Sequence, residues 1–121
     1  MFLHLNHQKL EVYTIARQFV KECYFATNQF PAEEKYALTQ QIRRAALSVH
    51  LNIAEGSSRK SDAERKRFYE IARGSIIEVD AALAIACDLN YCASDDLQSL
   101  GLTLVKCFKY LSGLINSTNQ K

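Results

Sequence analysis

Eight cations fall between residues 43 and 73: Arg43, Arg44, Arg59, Lys60, Arg65, Lys66, Arg67 and Arg73. Glu55, Asp62, Glu64 and Glu70 oppose them, leaving this stretch at a net +4 while the whole chain carries +2. The positive excess is therefore local, and local clustering attracts a polyanion such as RNA or DNA where bulk charge would not. Cations in the first turns of a helix also oppose its dipole, so Arg65, Lys66 and Arg67 point to use rather than stability. Phosphates bound there would meet both side chains and free amides. The plainer reading is a solvated face in which Asp62–Lys66 and Lys66–Glu70 are ordinary i, i+4 ion pairs. Phosphate contacts position a protein without reading bases, and no aromatic platform lies among these cations, so sequence specificity is not expected.

Other chemistry has little footing. The chain carries no phosphate-binding glycine loop, paired metal-ligand spacing or nucleophile motif, which favours a non-enzymatic protein without metal or cofactor. His4, His7 and His50 are the imidazoles. His4 and His7 stand i, i+3 in the opening residues and are read as solvated, and His50 as an interface or packing residue. Cys23, Cys87, Cys92 and Cys107 form no Cys-x-x-Cys pair. Three of them fall in expected amphipathic helices, where a free thiol packs as a small hydrophobe, and all four are read as reduced and cytosolic. Asn52, bordering the core, and Glu55, an acid near a helix C-terminus, best resist a purely structural account. A local hydrogen bond, a neighbouring arginine or a second subunit would satisfy either.

These residues must be positioned by helices. The 121 residues suit one domain, 1–121, and one proline with four glycines leaves few breakers. Met1 to Leu5 is too short for a signal peptide or membrane span, and is expected to form an arm packed on the domain or a neighbouring subunit. Helix one is expected over about 8–28, with Val12, Ile15, Ala16, Phe19, Cys23 and Ala26 on one face, and Phe30-Pro31 ending it. Helix two is expected over 38–56, with Leu38, Ile42, Ala45, Ala46, Val49 and Ile53 as its core stripe and Gly56 as a left-handed cap. Ser61 and Glu64 form a capping box that opens helix three, 61–90. Its seam is Phe68, Ala72, Ser75, Val79, Ala82, Ala86 and Leu89, and Gly74 is assigned to close packing or a kink. Ser94, Asp95 and Asp96 cap helix four, 94–115, whose seam is Leu97, Leu100, Leu104, Cys107, Leu111 and Leu114. Four helices on short turns alternate in direction, so the fold class is all-α: an antiparallel up-down-up-down four-helix bundle.

Helix two carries a second stripe, Leu47, His50, Leu51 and Ala54, that a monomeric bundle would leave wet. Burial against another subunit is the simplest remedy, and Ile77 on helix three is assigned to the same interface.

The string Gln41-Ile-Arg-Arg-Ala-Ala-Leu-Ser-Val-His-Leu-Asn-Ile-Ala-Glu-Gly-Ser-Ser-Arg59 closely resembles the signature of the 23S ribosomal-RNA intervening-sequence protein family. The likeness extends to Phe30-Pro31 with Glu33, Glu34 and Tyr36, to Ser61, Glu64, Phe68 and Ala72-Arg73-Gly74-Ser75, and to Ala86-Cys-Asp-Leu-Asn-Tyr91. That family is similar in fold to the accessory protein of diversity-generating retroelements, a ring of five bundles with a basic surface that associates with a reverse transcriptase and nucleic acid. The resemblance thus implies a small bacterial cytoplasmic bundle that forms a homo-oligomer, with a pentameric ring as the expected form, often encoded inside an inserted segment of ribosomal RNA. It places the family's arginine pair on Arg43 and Arg44 and its Asn-Ile-Ala-Glu-Gly motif on Asn52 to Gly56. One departure is His50, where relatives commonly carry proline; without it helix two is expected to be straighter. The expected function is binding of RNA or DNA backbone by a homo-oligomer. The alternative is a protein-interaction scaffold, or an accessory subunit for a nucleic-acid enzyme such as a reverse transcriptase.

Overall fold

In a computed structural model, which describes residues 1–5 and 10–119 with side chains as far as 117, four helices follow one another. They are α1 (Glu11–Thr27), α2 (Leu38–Ser57), α3 (Asp62–Asp88) and α4 (Gln98–Asn119). The expected start of the first helix near residue 8, and His7 with it, lie outside the described residues.

The ends of the helices follow from local chemistry. Thr27 closes α1 by donating its hydroxyl to the Cys23 carbonyl at 2.8 Å, and Pro31 then stops the chain from continuing as helix. Ala37 offers α2 no side-chain cap, so Glu34 supplies one, its Oε2 accepting the Leu38 amide at 3.1 Å. Ser61 caps α3 by accepting the Glu64 amide at 3.1 Å, which is one half of the expected capping box; the return bond from the Glu64 side chain to the Ser61 amide does not form. At the other end Asn90 adopts φ 62°, the Tyr91 amide reaches the Ala86 carbonyl at 2.9 Å, and the Asn90 amide reaches Cys87 at 3.0 Å. This is a Schellman closure with asparagine in the left-handed position.

Three expectations about ends and glycines are corrected. Gly56 is not a left-handed cap: it lies inside α2, buried, and the helix ends at Ser57 with Ser58 still in the right-handed region. Gly74 is exposed, and a Cβ there would meet nothing within 4 Å, so close packing inside the bundle does not explain it. Ser94 does not cap α4, because Ser94–Leu97 forms a 3-10 turn first, and α4 then runs beyond the expected end to Asn119.

Each helix packs on its two neighbours in the cycle α1, α2, α3, α4. Cross-helix bonds pair early residues of one helix with late residues of the next. Gln41 meets Glu78, Ser48 meets Ser75 and Ser57 meets Tyr69 between α2 and α3; Glu22 meets Thr103 and Glu11 meets Tyr110 between α1 and α4. The helices are therefore antiparallel, in an all-α four-helix bundle.

The core is built from Val12, Ala16, Phe19 and Cys23 of α1; Ile42, Ala45, Ala46, Val49 and Ile53 of α2; and Leu100, Leu104, Cys107, Leu111 and Ile115 of α4. α3 contributes Tyr69, Ala72, Ser75, Ile76, Val79, Leu83 and Ala86. The expected seam of α3 is shifted: Leu89 falls past the last turn and is exposed, while Tyr69, Ile76 and Leu83 face inward. A strict seven-residue repeat misplaces positions over a helix this long, because 3.6 residues per turn rotates the stripe. All four cysteines are free. Cys23 and Cys107 are fully buried, and burial pushes both thiols up to about 12, the Glu22 charge adding to the effect at Cys23. Among the described residues no helix is long and apolar enough to cross a membrane.

Candidate nucleic-acid interface

The turn between α2 and α3 gathers most of the cations at one end of the bundle. Arg59 and Lys60 lie in the turn, and Lys66 and Arg67 in the opening turns of α3. Arg65 builds the turn itself. Its guanidinium donates to the Arg59 carbonyl at 2.7 Å and the Lys60 carbonyl at 2.8 Å, and pairs with Asp62. Two carbonyls of the turn are thereby satisfied, and the path into α3 is fixed. Arg59 pairs with Glu55 one turn back and lies over the Phe68 ring, 5.0 Å from its centroid.

Among the described residues, these two ion pairs are the ones that form. The Asp62–Lys66 and Lys66–Glu70 pairs of the plainer reading do not, and Asp62 pairs with Arg65. Lys60 and Arg67 stand exposed and Lys66 half-buried, and none has a carboxylate within ion-pair reach among the described residues. They flank the amino end of α3, where the helix dipole already favours an anion.

The other expected cations sit elsewhere. Arg43 reaches across to the end of α1, where its Nε donates to Thr27 Oγ1 at 2.8 Å and its Nη2 to Asn28 Oδ1 at 2.9 Å. Its guanidinium also lies 4.7 Å from the centre of the Tyr24 ring. It clamps α1 to α2. Arg44 is exposed on the neighbouring azimuth. About 21 Å of helix separates Arg43 from the end of α2, at 1.5 Å per residue, so this pair and the basic turn are not one patch. Arg73 lies between α3 and α4, donating to Ser112 Oγ at 3.3 Å beside Phe108.

The motif residues find local partners. Asn52 donates to the Ser48 carbonyl at 2.8 Å and to Ser48 Oγ at 3.0 Å, and Ser75 donates to the same Oγ at 2.9 Å. A short polar chain thus ties α2 to α3. Glu55 has Arg59, and Gly56 lets α3 approach so closely that an added Cβ would lie 2.9 Å from Phe68 Cβ.

The expected interface residues divide between two sides. Leu47 and Leu51 are exposed on α2, at 37% and 59%, and Leu47 shares an apolar groove with Val20, Tyr24 and Phe25 of α1. His50 is half-buried with its ring centre 4.6 Å from that of Tyr13, and Ala54 lines a cleft with Leu5 of the opening arm. Ile77, 55% exposed, borders a groove of about 350 Å³ between α3 and α4 with Leu104, Val105 and Phe108. In the cycle of four helices the α1–α2 and α3–α4 seams lie on opposite sides. The outer face of α4 went unread in the sequence, although Leu102, Val105 and Phe108 recur there at three-residue steps.

Four antiparallel helices, with a basic turn at one end and an apolar groove along each of two opposite seams, define an all-α four-helix bundle. The chain belongs to the 23S rRNA-intervening sequence protein family, whose model matches residues 8–113. No curated protein matches it. Among the described residues, no group of three or more His, Cys, Asp or Glu is placed to hold a metal ion.

Proposed function

We propose that this protein is a non-enzymatic, cytoplasmic homo-oligomer that binds the backbone of RNA or DNA through the α2–α3 turn. The observation that carries the reading is the set Lys60, Lys66 and Arg67, cations without carboxylate partners among the described residues, beside the amino end of α3. Arg59 borders the set, Arg44 is a separate exposed cation further along α2, and Arg43, Arg65 and Arg73 hold the scaffold. Membership of a family named for an inserted segment of ribosomal RNA supports RNA as the first ligand to test. The oligomer rests on the two apolar grooves: non-identical faces on one protomer suit head-to-tail assembly better than a two-fold dimer, and such an assembly is a ring where its rotation closes.

The test is binding of a labelled structured RNA and a matched DNA duplex at about 50 and 200 mM salt, with a Lys60/Lys66/Arg67→Ala variant of unchanged oligomer mass. Counterion release makes affinity fall steeply with salt, and the variant's slope is expected to be shallower by about 2–3. Absence of binding at low salt by an assembled protein overturns the reading and turns attention to an acidic protein partner.

A further inference from the structure

Cys87 and Cys92 stand five residues apart, a spacing no Cys-x-x-Cys search detects, yet their sulfurs lie 3.7 Å apart. The contact is made by the backbone. Asn90 in the left-handed region and the Tyr91 amide on the Ala86 carbonyl fold the end of α3 back on itself. Tyr91, between the two thiols, is anchored in turn: its ring centre is 5.6 Å from that of Phe30 and its hydroxyl donates to Glu34 Oε1 at 3.1 Å. Both sulfur-bearing residues are half-buried, whereas Cys23 and Cys107 are sealed in the core. A soluble reagent therefore has one pair of thiols to meet, already in contact.

We propose that Cys87 and Cys92 form a reversible dithiol–disulfide site that takes low-molecular-weight disulfides as its oxidant. A sulfur–sulfur bond is about 2.05 Å long, so the two sulfurs must draw closer from 3.7 Å for the bond to form. Either thiol can open the exchange; burial and the Cys87 contact raise the Cys92 thiol above its ordinary value. When Cys87 opens it, the Cys87 thiolate attacks one sulfur of the disulfide RSSR, forming Cys87–S–S–R and releasing RS⁻. Cys92 then gives up its proton and attacks the Cys87 sulfur, which forms the Cys87–Cys92 bond and releases the second RS⁻. Two thiols and one RSSR become one protein disulfide and two RSH. The bond staples the last turn of α3 to the connection leading into α4.

The folded full-length chain, freed of reductant, is incubated with oxidised glutathione, acid-quenched, alkylated and digested with trypsin. The peptide Gly74–Lys106 contains both cysteines and neither Cys23 nor Cys107. It is expected two hydrogen masses lighter, without adduct or alkylation, and restored by dithiothreitol. Cys92→Ser is expected to retain glutathione on Cys87. Exchange of the Asn90 and Tyr91 amides should slow on the order of tenfold on oxidation. A glutathione adduct persisting on the wild-type pair, a disulfide between two chains, or two thiols left unreacted would each overturn the assignment.

Discussion

A methyl group added at Gly56 would sit 2.9 Å from Phe68 Cβ and 3.1 Å from a ring carbon of Tyr69. The first of these is next to the backbone of α3 and cannot swing away, so the two helices must separate. Overpacking of this kind costs about 1–3 kcal/mol, against about 1 kcal/mol of helix propensity gained, and Gly56→Ala is expected to lower stability by up to about 2 kcal/mol. Gly74→Ala meets nothing within 4 Å and gains the propensity alone, so its urea midpoint should rise by the equivalent of about 0.5–1 kcal/mol. Equal shifts in the two variants would contradict the packing described. The sequence assigns close packing to Gly74, whereas it occurs at Gly56, because close approach is a property of the neighbouring helix. The same limit applied to the cations. Their clustering was legible, whereas the commitment of Arg43 to Thr27 and of Arg65 to two carbonyls depends on atoms that only the fold brings near.

At the scale of an element, the α2–α3 turn shows why cations of similar sequence context differ in consequence. Arg65 joins Asp62 to the carbonyls of Arg59 and Lys60, a forked geometry that lysine cannot reproduce. Part of that guanidinium is solvated, so Arg65→Ala is expected to cost about 1–2 kcal/mol, with faster amide exchange across residues 58–64. Lys66→Ala should stay within about 0.5 kcal/mol, while reducing the salt slope of nucleic-acid binding. A comparable loss of stability in both would mean that Lys66 is structural too. Element positions were legible wherever a local signal acts: the Ser61 cap, Phe30-Pro31, and the α2 stripe, in which Ile42, Ala45, Ala46, Val49 and Ile53 are buried and Leu38 is half-buried. Legibility failed where a partner element decides, as in α3, whose inward positions turn with the helix and follow α2 and α4 rather than a fixed repeat.

For the whole molecule, the two apolar grooves pose a question of symmetry. A two-fold contact buries the same patch on both partners, whereas a ring joins one patch to a different one on the next protomer. Leu47 marks the α1–α2 groove and Ile77 the α3–α4 groove. If the first groove of one protomer receives the second of the next, Leu47→Glu and Ile77→Glu each place a charge in every interface of their own assembly. Each variant alone is then expected to be monomeric by sedimentation or light scattering. Mixed in equal amounts, they differ from a dead pair, because Leu47→Glu keeps an intact α3–α4 face and Ile77→Glu an intact α1–α2 face. One sound interface can form between them, and growth stops there, so the mixture should contain a one-to-one heterodimer and nothing larger. A two-fold contact through either groove predicts instead that one of the two variants assembles like the wild type and that mixing adds no new species. The outcome also bears on nucleic-acid binding: in a ring every basic α2–α3 turn repeats around one axis, and the apparent affinity of a long backbone rises through linked contacts that no monomer offers. The heterodimer should therefore bind RNA more tightly than either parent variant, with a salt slope between those of monomer and ring.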